Sequence, residues 1–490
     1  MAISAAERMR QIHLGLGPAG YAEISQDASQ RAAFAQQQEA HEETLLAKCP
    51  PSLWPHGSYN ASCPRPILIT KSHRQQLIDF HDALTAAVND VVLRWWKDED
   101  ARFPERMPLP AEEEQLLRWI DKQQDLGRIG EFSTCQGSWR PDFLIEEVES
   151  DDGTCTENFR ISEINARFPF NGSMHIYYGS SVLEEMNMGK SGLAAATDGA
   201  QIFNGFLDLF QHDKPLHLLK GEERGIDIPM FIHAVHRHIG KQPRLITPTD
   251  LRLVSDGQGG TRLCCLTSTT ASKSEIFHTP DGEAVEEVHQ VGLELHQHEL
   301  FQLDPEMLRA VSLRCFNDMR TLLLVHDKRL LGVIHQELGP LTKRGVITPG
   351  QAAMLDRGIA HTILPGSAEL RALLSESDEA RHVYLLKPFR SGKGNGIVFG
   401  EDLSADEWRR VVEGLRSAHG ASILVQRRVK QHRYDVILNQ TGEIGHYAIV
   451  GTYHVVNGQY LGLGIWRCSP ERITAISTGG SWMCTVMSAD

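Results

Sequence analysis

Apolar side chains recur at helical spacing in the first 130 residues of the chain. A helix is predicted over 72–96, with Ser72 as its N-cap, from one apolar stripe formed by Leu77, Phe80, Leu84, Ala87 and Val91. A second helix is predicted over 112–124 and a short strand over 66–69. The polar stretch 1–60 is rich in Gln, Glu and Ala, and it predicts a helix followed by a loop. We therefore expect a helical N-terminal region that packs on the core.

The pattern then changes to the two-residue alternation of β-strands, in what we expect to be the first part of the core, 131–213. Strands are predicted over 142–148 and 159–165. The polar residues 150–153 between them predict a tight connection, so the two strands should form a hairpin.

Residues 214–325 alternate strand and helix patterns and are expected to form an inserted α/β unit. The predicted helices span 228–239 and 305–315, and the predicted strands span 217–219, 244–247, 288–295 and 321–325. Strands separated by helices of this length predict a mainly parallel sheet covered by helices.

The last part of the chain, 326–490, reads as antiparallel α+β. A long helical stretch follows Lys328, and Pro365-Gly366 marks its end. One further helix is predicted over 405–418, among strands over 383–387, 423–429, 434–438, 445–455 and 460–466. The fold class predicted for the whole chain is therefore α+β with antiparallel sheets and an inserted α/β domain.

Composition narrows the functional classes. The 490 residues are 41% hydrophobic, which allows two or three packed units. The net charge of -14, without a long Lys/Arg run, argues against nucleic-acid binding. There is no 18-residue apolar run that would predict a membrane span, and the first 30 residues lack the apolar core of a secretory signal.

The cysteines favour a reducing compartment. They are nine in number, scattered and without CxxC spacing, which is typical of free thiols in the cytosol rather than of a disulfide framework or a zinc site. We therefore expect a cytoplasmic protein whose partners are small molecules.

Three oxygen-bearing side chains lie on the predicted hairpin. Asp142 is on its first strand, and Glu163 and Asn165 are two apart on its second strand, so that they share a face. Carboxylate and amide oxygens are the ligands that Mg²⁺ takes together with phosphate oxygens and water. The alternative is a surface salt bridge of Glu163 with Arg167 or Arg140.

A basic, glycine-rich loop follows at 387–396. Glycines at 392, 394 and 396 allow backbone N–H groups to approach a polyphosphate, and positive charge comes from Lys387, Arg390 and Lys393. The loop matches neither the Walker pattern nor the dinucleotide-binding pattern. A glycine-rich hairpin turn in a structural sheet is the alternative.

Three further segments carry candidate binding residues. An apolar strand ends in Gln426 and could lie along an adenine edge, although a plain core strand fits the same pattern. Arg467 follows another apolar strand and suits bidentate binding of a carboxylate or phosphate. The small residues 478–481 predict a mobile turn.

In this order, the motifs resemble those of the ATP-grasp ligases, and within them the circularly permuted branch that contains eukaryotic glutathione synthetase and bacterial glutathionylspermidine synthase. Most ATP-grasp enzymes place the Glu-x-Asn motif after the nucleotide lysines, whereas here Glu163-x-Asn165 precedes Lys387. Lys328, at the predicted end of a strand, is placed like the first nucleotide lysine. The resemblance covers about residues 130–490.

The resemblance implies ATP and Mg²⁺ as cofactors and a role for each matching position. The implied metal ligands are Asp142, Glu163 and Asn165. The implied ATP-binding residues are Lys328, Lys387, Ser391, Gly392, Lys393, Gly394, Asn395, Gly396, Gln426 and Val429. The implied catalytic arginines are Arg140, Arg390 and Arg467, and the implied substrate-binding residues are Arg140, Arg467, Gly479 and Gly480.

Two loop positions depart from the family pattern. Ser391 stands where the family has a metal-binding glutamate, and Lys393 stands where glycine is usual. The implied reaction is ADP-forming ligation of a carboxylate with an amine through an acyl phosphate, on small amino-acid or peptide-like substrates. A phosphotransferase on the same fold and an inactive nucleotide-binding regulator are the alternatives. A homodimer is common in the glutathione synthetase relatives.

Overall fold

Helices and strands mix along the whole chain, and most strand pairs are antiparallel. The predicted connection at 150–153 lies outside the residues that the structure describes, whereas both strands that it was expected to join are present. The computed structural model describes residues 8–15, 19–25, 31–149, 155–186, 188–224, 227–257, 259–267, 276–438 and 442–489.

The N-terminal part contains more than the predicted helix and loop. Two short strands precede the first helix. The first strand of the chain pairs with the second strand on one side and with the third strand on the other, in a five-stranded sheet. The N-cap of the long helix is Thr70 rather than Ser72, because the Thr70 hydroxyl accepts a hydrogen bond from the His73 backbone N–H. The elements are β1 (Arg10–Leu14), β2 (Tyr21–Glu23), α1 (Arg31–Lys48), β3 (Ile67–Leu68), α2 (Lys71–Arg94), α3 (Phe103–Arg106) and α4 (Ala111–Asp125).

The predicted hairpin is confirmed, and its register fixes the candidate metal residues. Asp142 lies opposite Glu163 and Arg140 lies opposite Asn165 across an antiparallel pair. Residues two apart on one strand share a face, so these four side chains lie on one side of the sheet. The elements of this segment are β4 (Ser138–Glu149), β5 (Cys155–Asn165), α5 (Ser173–Glu185), β6 (Leu193–Ala195) and α6 (Gly199–Leu207).

Residues 214–325 contain the predicted parallel sheet and a second sheet that was not predicted. The elements are β7 (His217–Lys220), α7 (Ile228–Ile239), β8 (Arg244–Ile246), β9 (Leu251–Ser255), β10 (Thr261–Leu266), β11 (Ile276–His278), β12 (Ala284–Glu287), β13 (Val291–Glu294), α8 (Gln297–Leu300) and α9 (Pro305–Ser312). The parallel sheet has the order β13-β7-β8, and the second is antiparallel with the order β11-β12-β10-β9.

The strand predicted over 321–325 was wrong, because Thr321–Val325 is a π-helical turn. All five of its residues are buried. A short run that is apolar on every side shows no periodicity, so that a buried strand and a buried helical turn cannot be distinguished from sequence.

The following segment forms a small sheet with its own hydrophobic core. The sheet has the order β14-β17-β15-β16, and its core includes Leu370, Leu386, Trp408 and Val425. The elements are α10 (Arg329–Lys343), α11 (Pro349–Gly358), β14 (Thr362–Ile363), α12 (Ala368–Leu373), β15 (Tyr384–Pro388), β16 (Val398–Phe399), α13 (Ala405–Gly414) and β17 (Ile423–Arg427).

All but the last of the C-terminal strands join the predicted hairpin in one seven-stranded sheet, and the last strand pairs with β3 and β6 in the five-stranded sheet. The central strand of the seven-stranded sheet, β19, pairs with β4, and the strand predicted over 460–466 is in fact two strands, β20 and β21. The elements are β18 (Arg433–Ile437), β19 (Ile444–Val456), β20 (Gln459–Leu463), β21 (Trp466–Cys468), β22 (Ser481–Met483) and β23 (Thr485–Ser488). None of the helices in the described ranges has the length and apolar content needed to span a membrane.

Candidate active site

A cavity of about 1300 Å³ opens on the face shared by β4, β5 and β21. Five residues of these strands that were predicted to belong to the site line the cavity, namely Arg140, Asp142, Glu163, Asn165 and Arg467. The hairpin and the C-terminal strands, which are about 300 residues apart in sequence, therefore contribute to one site.

Asp142 is held between two arginines. Its Oδ1 accepts a hydrogen bond from Arg140 Nε at 3.0 Å, and its Oδ2 accepts one from Arg467 Nη2. Arg140 is fixed further by Asn171, whose backbone and side-chain oxygens accept from Nη1 at 2.7 and 2.8 Å. Both Asp142 oxygens are thus engaged with guanidinium groups, and the carboxylate orients two cations toward the cavity.

Glu163 lies beside two lysines. Its Oε2 is 3.3 Å from Lys328 Nζ, and Asn165 Nδ2 is 3.5 Å from its Oε1. Burial alone raises the pKa of Glu163, but the positive charges of Lys328, Lys387 and Arg467 outweigh it and lower the pKa to about 2. Glu163 is therefore a carboxylate at any physiological pH, as a metal ligand must be.

Lys387 and Gln426 approach the same strand from the small sheet. Lys387 Nζ donates to the Ser162 carbonyl at 3.4 Å, and Gln426 Nε2 donates to the same oxygen at 3.2 Å. Gln426 Nε2 also donates to Thr362 Oγ1 at 3.0 Å. Burial lowers the pKa of Lys387 to about 8, with Glu163 opposing the shift.

Lys328 connects Glu163 on β5 with the glycine-rich loop. His326 and Asp327 separate it from the π-helical turn that stands in place of the predicted strand, and it is the N-cap of α10. Its Nζ donates to the Ser391 carbonyl at 2.7 Å, and its backbone N–H donates to the Phe389 carbonyl at 3.0 Å. The loop and Lys328 therefore hold each other in place.

The loop itself turns tightly at 392–395. Asn395 N–H donates to the Gly392 carbonyl at 3.1 Å, and the two residues between them, Lys393 and Gly394, both have positive φ, 57° and 74°. A Cβ on Gly394 would come within 2.3 Å of Ile473, so that only glycine fits there. Lys393 Nζ, by contrast, reaches across the cavity to Glu223 Oε1 at 2.8 Å.

Arg390 points away from the loop tip and into the protein. Its Nε lies 2.8 Å from Asp327 Oδ2, its Nη1 2.6 Å from Glu113 Oε1, and its Nη2 donates to the Leu323 carbonyl at 2.9 Å. These contacts anchor the base of the loop. A direct catalytic role for Arg390 stays a prediction.

The other predicted residues divide between the cavity wall and its supports. Gly392, Lys393, Asn395 and Gly479 line the cavity. Gly396 and Gly480 are packed closely by their neighbours. A Cβ on Gly396 would clash with the Pro388 ring, and a Cβ on Gly480 would clash with the Ala475 carbonyl. Val429 is buried just beyond the end of β17.

Sequence reasoning missed an arginine and a histidine that line the cavity side by side. Arg167 Nη2 donates to the Arg390 carbonyl at 2.8 Å and lies 2.9 Å from His326 Nε2. Burial and the charge of Arg167 lower the pKa of His326 well below its usual value, so that the ring is neutral. Arg167 lies two residues after the motif at 163–165, and His326 lies two residues before Lys328. Their closeness to these motifs was the one sequence feature that could have indicated a role in the site.

The N-terminal region supplies an acidic wall that no motif indicated. Glu39, Glu42 and Glu43 of α1 line the cavity together with the turn 55–58. An exposed helix of Gln, Glu and Ala has no distinctive spacing, so only the tertiary packing of α1 shows that its carboxylates face a cavity.

A buried serine, histidine and aspartate also line the cavity. Ser58 Oγ is 2.9 Å from His175 Nε2, and His175 Nδ1 is 3.2 Å from Asp227 Oδ1. The second Asp227 oxygen accepts from the Met174 backbone N–H at 2.8 Å. These residues come from three separate segments, so their proximity could not be inferred from spacing.

Comparisons with known proteins identify the family of the chain. The family model of the AnkG N-terminal domain matches residues 80–324. The ATP-grasp enzyme ankG of Aspergillus thermomutatus is 35% identical over 423 residues, which cover 84% of this chain and 85% of that protein. The chain belongs to the AnkG family of ATP-grasp enzymes.

A solved structure extends the likeness to the fold. A glutathione synthetase-like effector from Globodera pallida, in its apo form, superimposes with a TM-score of 0.50 at 11% identity, over 93% of this chain and 97% of that one. The predicted α+β ATP-grasp fold is confirmed. The circular permutation stays a prediction.

Proposed function

We propose that this ATP-grasp enzyme is an ADP-forming carboxylate–amine ligase for small amino-acid or peptide-like substrates. The observation that carries the proposal is the convergence of Glu163, Lys328 and Lys387, from three separate segments, beside a glycine-rich loop and an arginine pair. An anionic metal ligand, two lysines and a flexible cover are what phosphoryl transfer requires, because such catalysis is mostly alignment and charge neutralisation.

The residues present fit Mg²⁺ through Glu163 and Asn165. Their side chains are adjacent, Glu163 stays ionised, and oxygen donors are what Mg²⁺ prefers. Asp142 fits less well, because arginines engage both of its oxygens. Bound Mg²⁺ would neutralise phosphate charge, while Lys328 and Lys387 contact the remaining phosphate oxygens.

The proposed reaction has two steps. A substrate carboxylate oxygen attacks the γ-phosphorus of ATP, the bond from that phosphorus to the β–γ bridging oxygen breaks, and ADP leaves. The amine nitrogen then attacks the acyl carbon of the acyl phosphate, the carbon–oxygen bond breaks toward phosphate, and the nitrogen loses a proton. Arg140 and Arg467 orient carboxylates in both steps, and the closed loop keeps water from the acyl phosphate.

The charges of the cavity walls support substrates with both acidic and basic ends. Arg140, Arg167 and Arg467 lie at the face of the strands, whereas the carboxylates of α1 form the N-terminal wall. A carboxylate is therefore drawn toward the phosphates, and an ammonium or other cation is drawn toward α1.

The second step needs a group that accepts the proton of the amine. We propose that Ser58 Oγ passes this proton to His175 Nε2, and that the Asp227 carboxylate stabilises the resulting imidazolium. All three side chains are at most 6% exposed, so that the proton is shielded from bulk water.

The first experiment measures ADP release with Mg²⁺ and ATP across a panel of amino-acid pairs. Glu163→Ala and Lys387→Ala should each abolish release while circular dichroism and thermal unfolding show a folded protein. Lys430→Ala is the matched control, because Lys430 is an exposed lysine of the same part of the chain and should leave release unchanged. Full turnover in either site variant would refute the assignment of the site.

Hydroxylamine distinguishes ligation from the two alternatives. An acyl phosphate reacts with hydroxylamine to give a hydroxamate, whereas the stable product of a phosphotransferase does not. A regulator without catalysis would bind ATP but release no ADP with any acid. Hydroxamate that forms only when acid, ATP and Mg²⁺ are all present is the result that we expect.

A further inference from the structure

Two clusters of metal-binding side chains occur outside the cavity in the described ranges. One consists of His217, Cys265 and Glu286, which are all buried. The guanidinium of Arg244 contacts Glu286 in this cluster, and His217 Nε2 is 2.7 Å from the same carboxylate. A cation already neutralises Glu286 there, so this cluster is a buried ion-pair network and has no need of a metal.

Among the described residues, no arginine or lysine forms an ion pair with the carboxylate of the second cluster. This cluster consists of His335, His361 and Glu369, whose ligand atoms all lie within 4.8 Å of one another. The two imidazole rings are 5.3 Å apart between centroids, and His361 Nε2 is 3.7 Å from Glu369 Oε1. Asp356 adds a fourth donor, with its Oδ1 at 2.8 Å from His335 Nε2.

The cluster is open to solvent. The four side chains are between 17% and 60% exposed, which leaves a path for an ion from solvent.

We propose that His335, His361, Glu369 and Asp356 form a binding site for a divalent transition-metal ion of the zinc type. Two imidazole nitrogens and two carboxylates are a tetrahedral donor set that zinc takes, and the imidazoles disfavour Mg²⁺. With metal–ligand distances of about 2 Å, neighbouring donors in a tetrahedral site are about 3.3 Å apart. The ligand atoms of His335, His361 and Glu369 lie within 4.8 Å of one another, and Asp356 Oδ1 lies 2.8 Å from His335 Nε2, so that changes of side-chain rotamer would bring them to that spacing.

The position of the site gives it a structural consequence. His335 lies on α10, whose apolar residues Leu331 and Ile334 belong to the large core, whereas Glu369 lies on α12, whose Leu370 belongs to the small core. A metal here would join the two cores next to β14, which begins directly after His361. It would therefore limit the movement of the small sheet relative to α10.

Cobalt provides a test that does not depend on ligase activity. The full chain is treated with a chelator, desalted and titrated with Co²⁺ in the presence of excess Mg²⁺, which occupies oxygen-donor sites. Visible absorption of tetrahedral Co²⁺ should saturate at one equivalent and disappear when Zn²⁺ is added. His335→Ala and His361→Ala should each weaken binding by at least about tenfold, because each removes a direct ligand.

Control variants separate this site from the others. Glu163→Gln should keep the Co²⁺ absorption, which shows that the signal does not come from the cavity, and so should His446→Ala, which removes an exposed histidine from a His–Asp pair. Hydrogen exchange in α12 should slow when Zn²⁺ is bound to the unmodified chain and not in His361→Ala. An absence of Co²⁺ and Zn²⁺ binding, binding that survives in both histidine variants of the cluster, or binding that is lost only in Cys265→Ser would each overturn the proposal.

Discussion

Raising the pH should weaken nucleotide binding through Lys387. This lysine has a pKa of about 8 in the ligand-free protein, and it binds phosphate only in its protonated form. Its protonated fraction falls from about three quarters at pH 7.5 to about 3% at pH 9.5. Because apparent affinity scales with the competent fraction, ATP should bind about 25-fold more weakly at the higher pH, a loss of about 2 kcal/mol.

The sign of this effect follows from the direction of the pKa shift. Burial lowers the Lys387 pKa, so the charge is present below pH 8 and is lost above it. Phosphates titrate near pH 6, and the charge of ATP is therefore constant over the range used. Glu163, with a pKa of about 2, contributes no titration there.

Calorimetric titration of ATP with Mg²⁺ at half-unit pH steps measures the effect. Lys387→Met should bind ATP weakly at every pH and show a flat profile, because it lacks the titrating group. Lys430→Ala should reproduce the profile of the unmodified protein. A flat profile in the unmodified protein, or a profile that keeps its slope in Lys387→Met, would show that Lys387 does not contact the phosphates.

Three further predictions concern the loop, the arginine pair and the proton acceptor. Lys393→Gly should relieve a backbone cost of about 1 kcal/mol and remove the ion pair to Glu223, so hydrogen exchange at 391–397 should rise without a loss of stability. Lys393→Ala keeps the strained backbone and should be less stable than Lys393→Gly in denaturant unfolding; equal stability would contradict the strain argument. Asp142→Asn leaves two buried guanidinium groups without their carboxylate and should cost about 3–5 kcal/mol of unfolding free energy, with an unchanged Mg²⁺ requirement. A weaker response to Mg²⁺ in that variant would instead make Asp142 a metal ligand. His175→Gln should slow amide formation with basic amines more than hydroxamate formation, because a basic amine must lose an additional proton before it attacks, whereas hydroxylamine is already neutral at pH 7; equal losses in both assays would contradict this role.

Elements with strong periodicity were predictable from the sequence. The long helix α2 carries its apolar stripe over six turns, and the β4–β5 hairpin alternates cleanly, so both were found within a few residues of their bounds. The strands β1 and β2 were missed because they are only five and three residues long. The sheet formed by β9 to β12 was missed because its strands are only three to six residues long.

For the candidate site too, residues in local motifs were predictable, and residues brought in by tertiary packing were not. Glu163, Asn165 and Lys387 belong to local motifs, and the structure brings their segments together as the sequence implied. The Glu39, Glu42 and Glu43 wall depends on how α1 packs against distant strands, which no local pattern records. The free thiols were predicted correctly for the eight cysteines whose side chains the structure describes.

The distribution of contacts around the cleft also indicates how the site would respond to a nucleotide. Lys328 is bonded to both Glu163 and the Ser391 carbonyl, and Lys387 to the Ser162 carbonyl, so that each lysine already has an internal partner. Phosphate oxygens would replace these neutral carbonyl partners with charged ones, and charge-assisted hydrogen bonds are the stronger kind. The small sheet has its own core, so it can adjust its distance to β5 without breaking either core. Nucleotide binding should therefore move the small sheet and the loop together, while the Arg140–Asp142–Arg467 cluster on the large sheet stays in place.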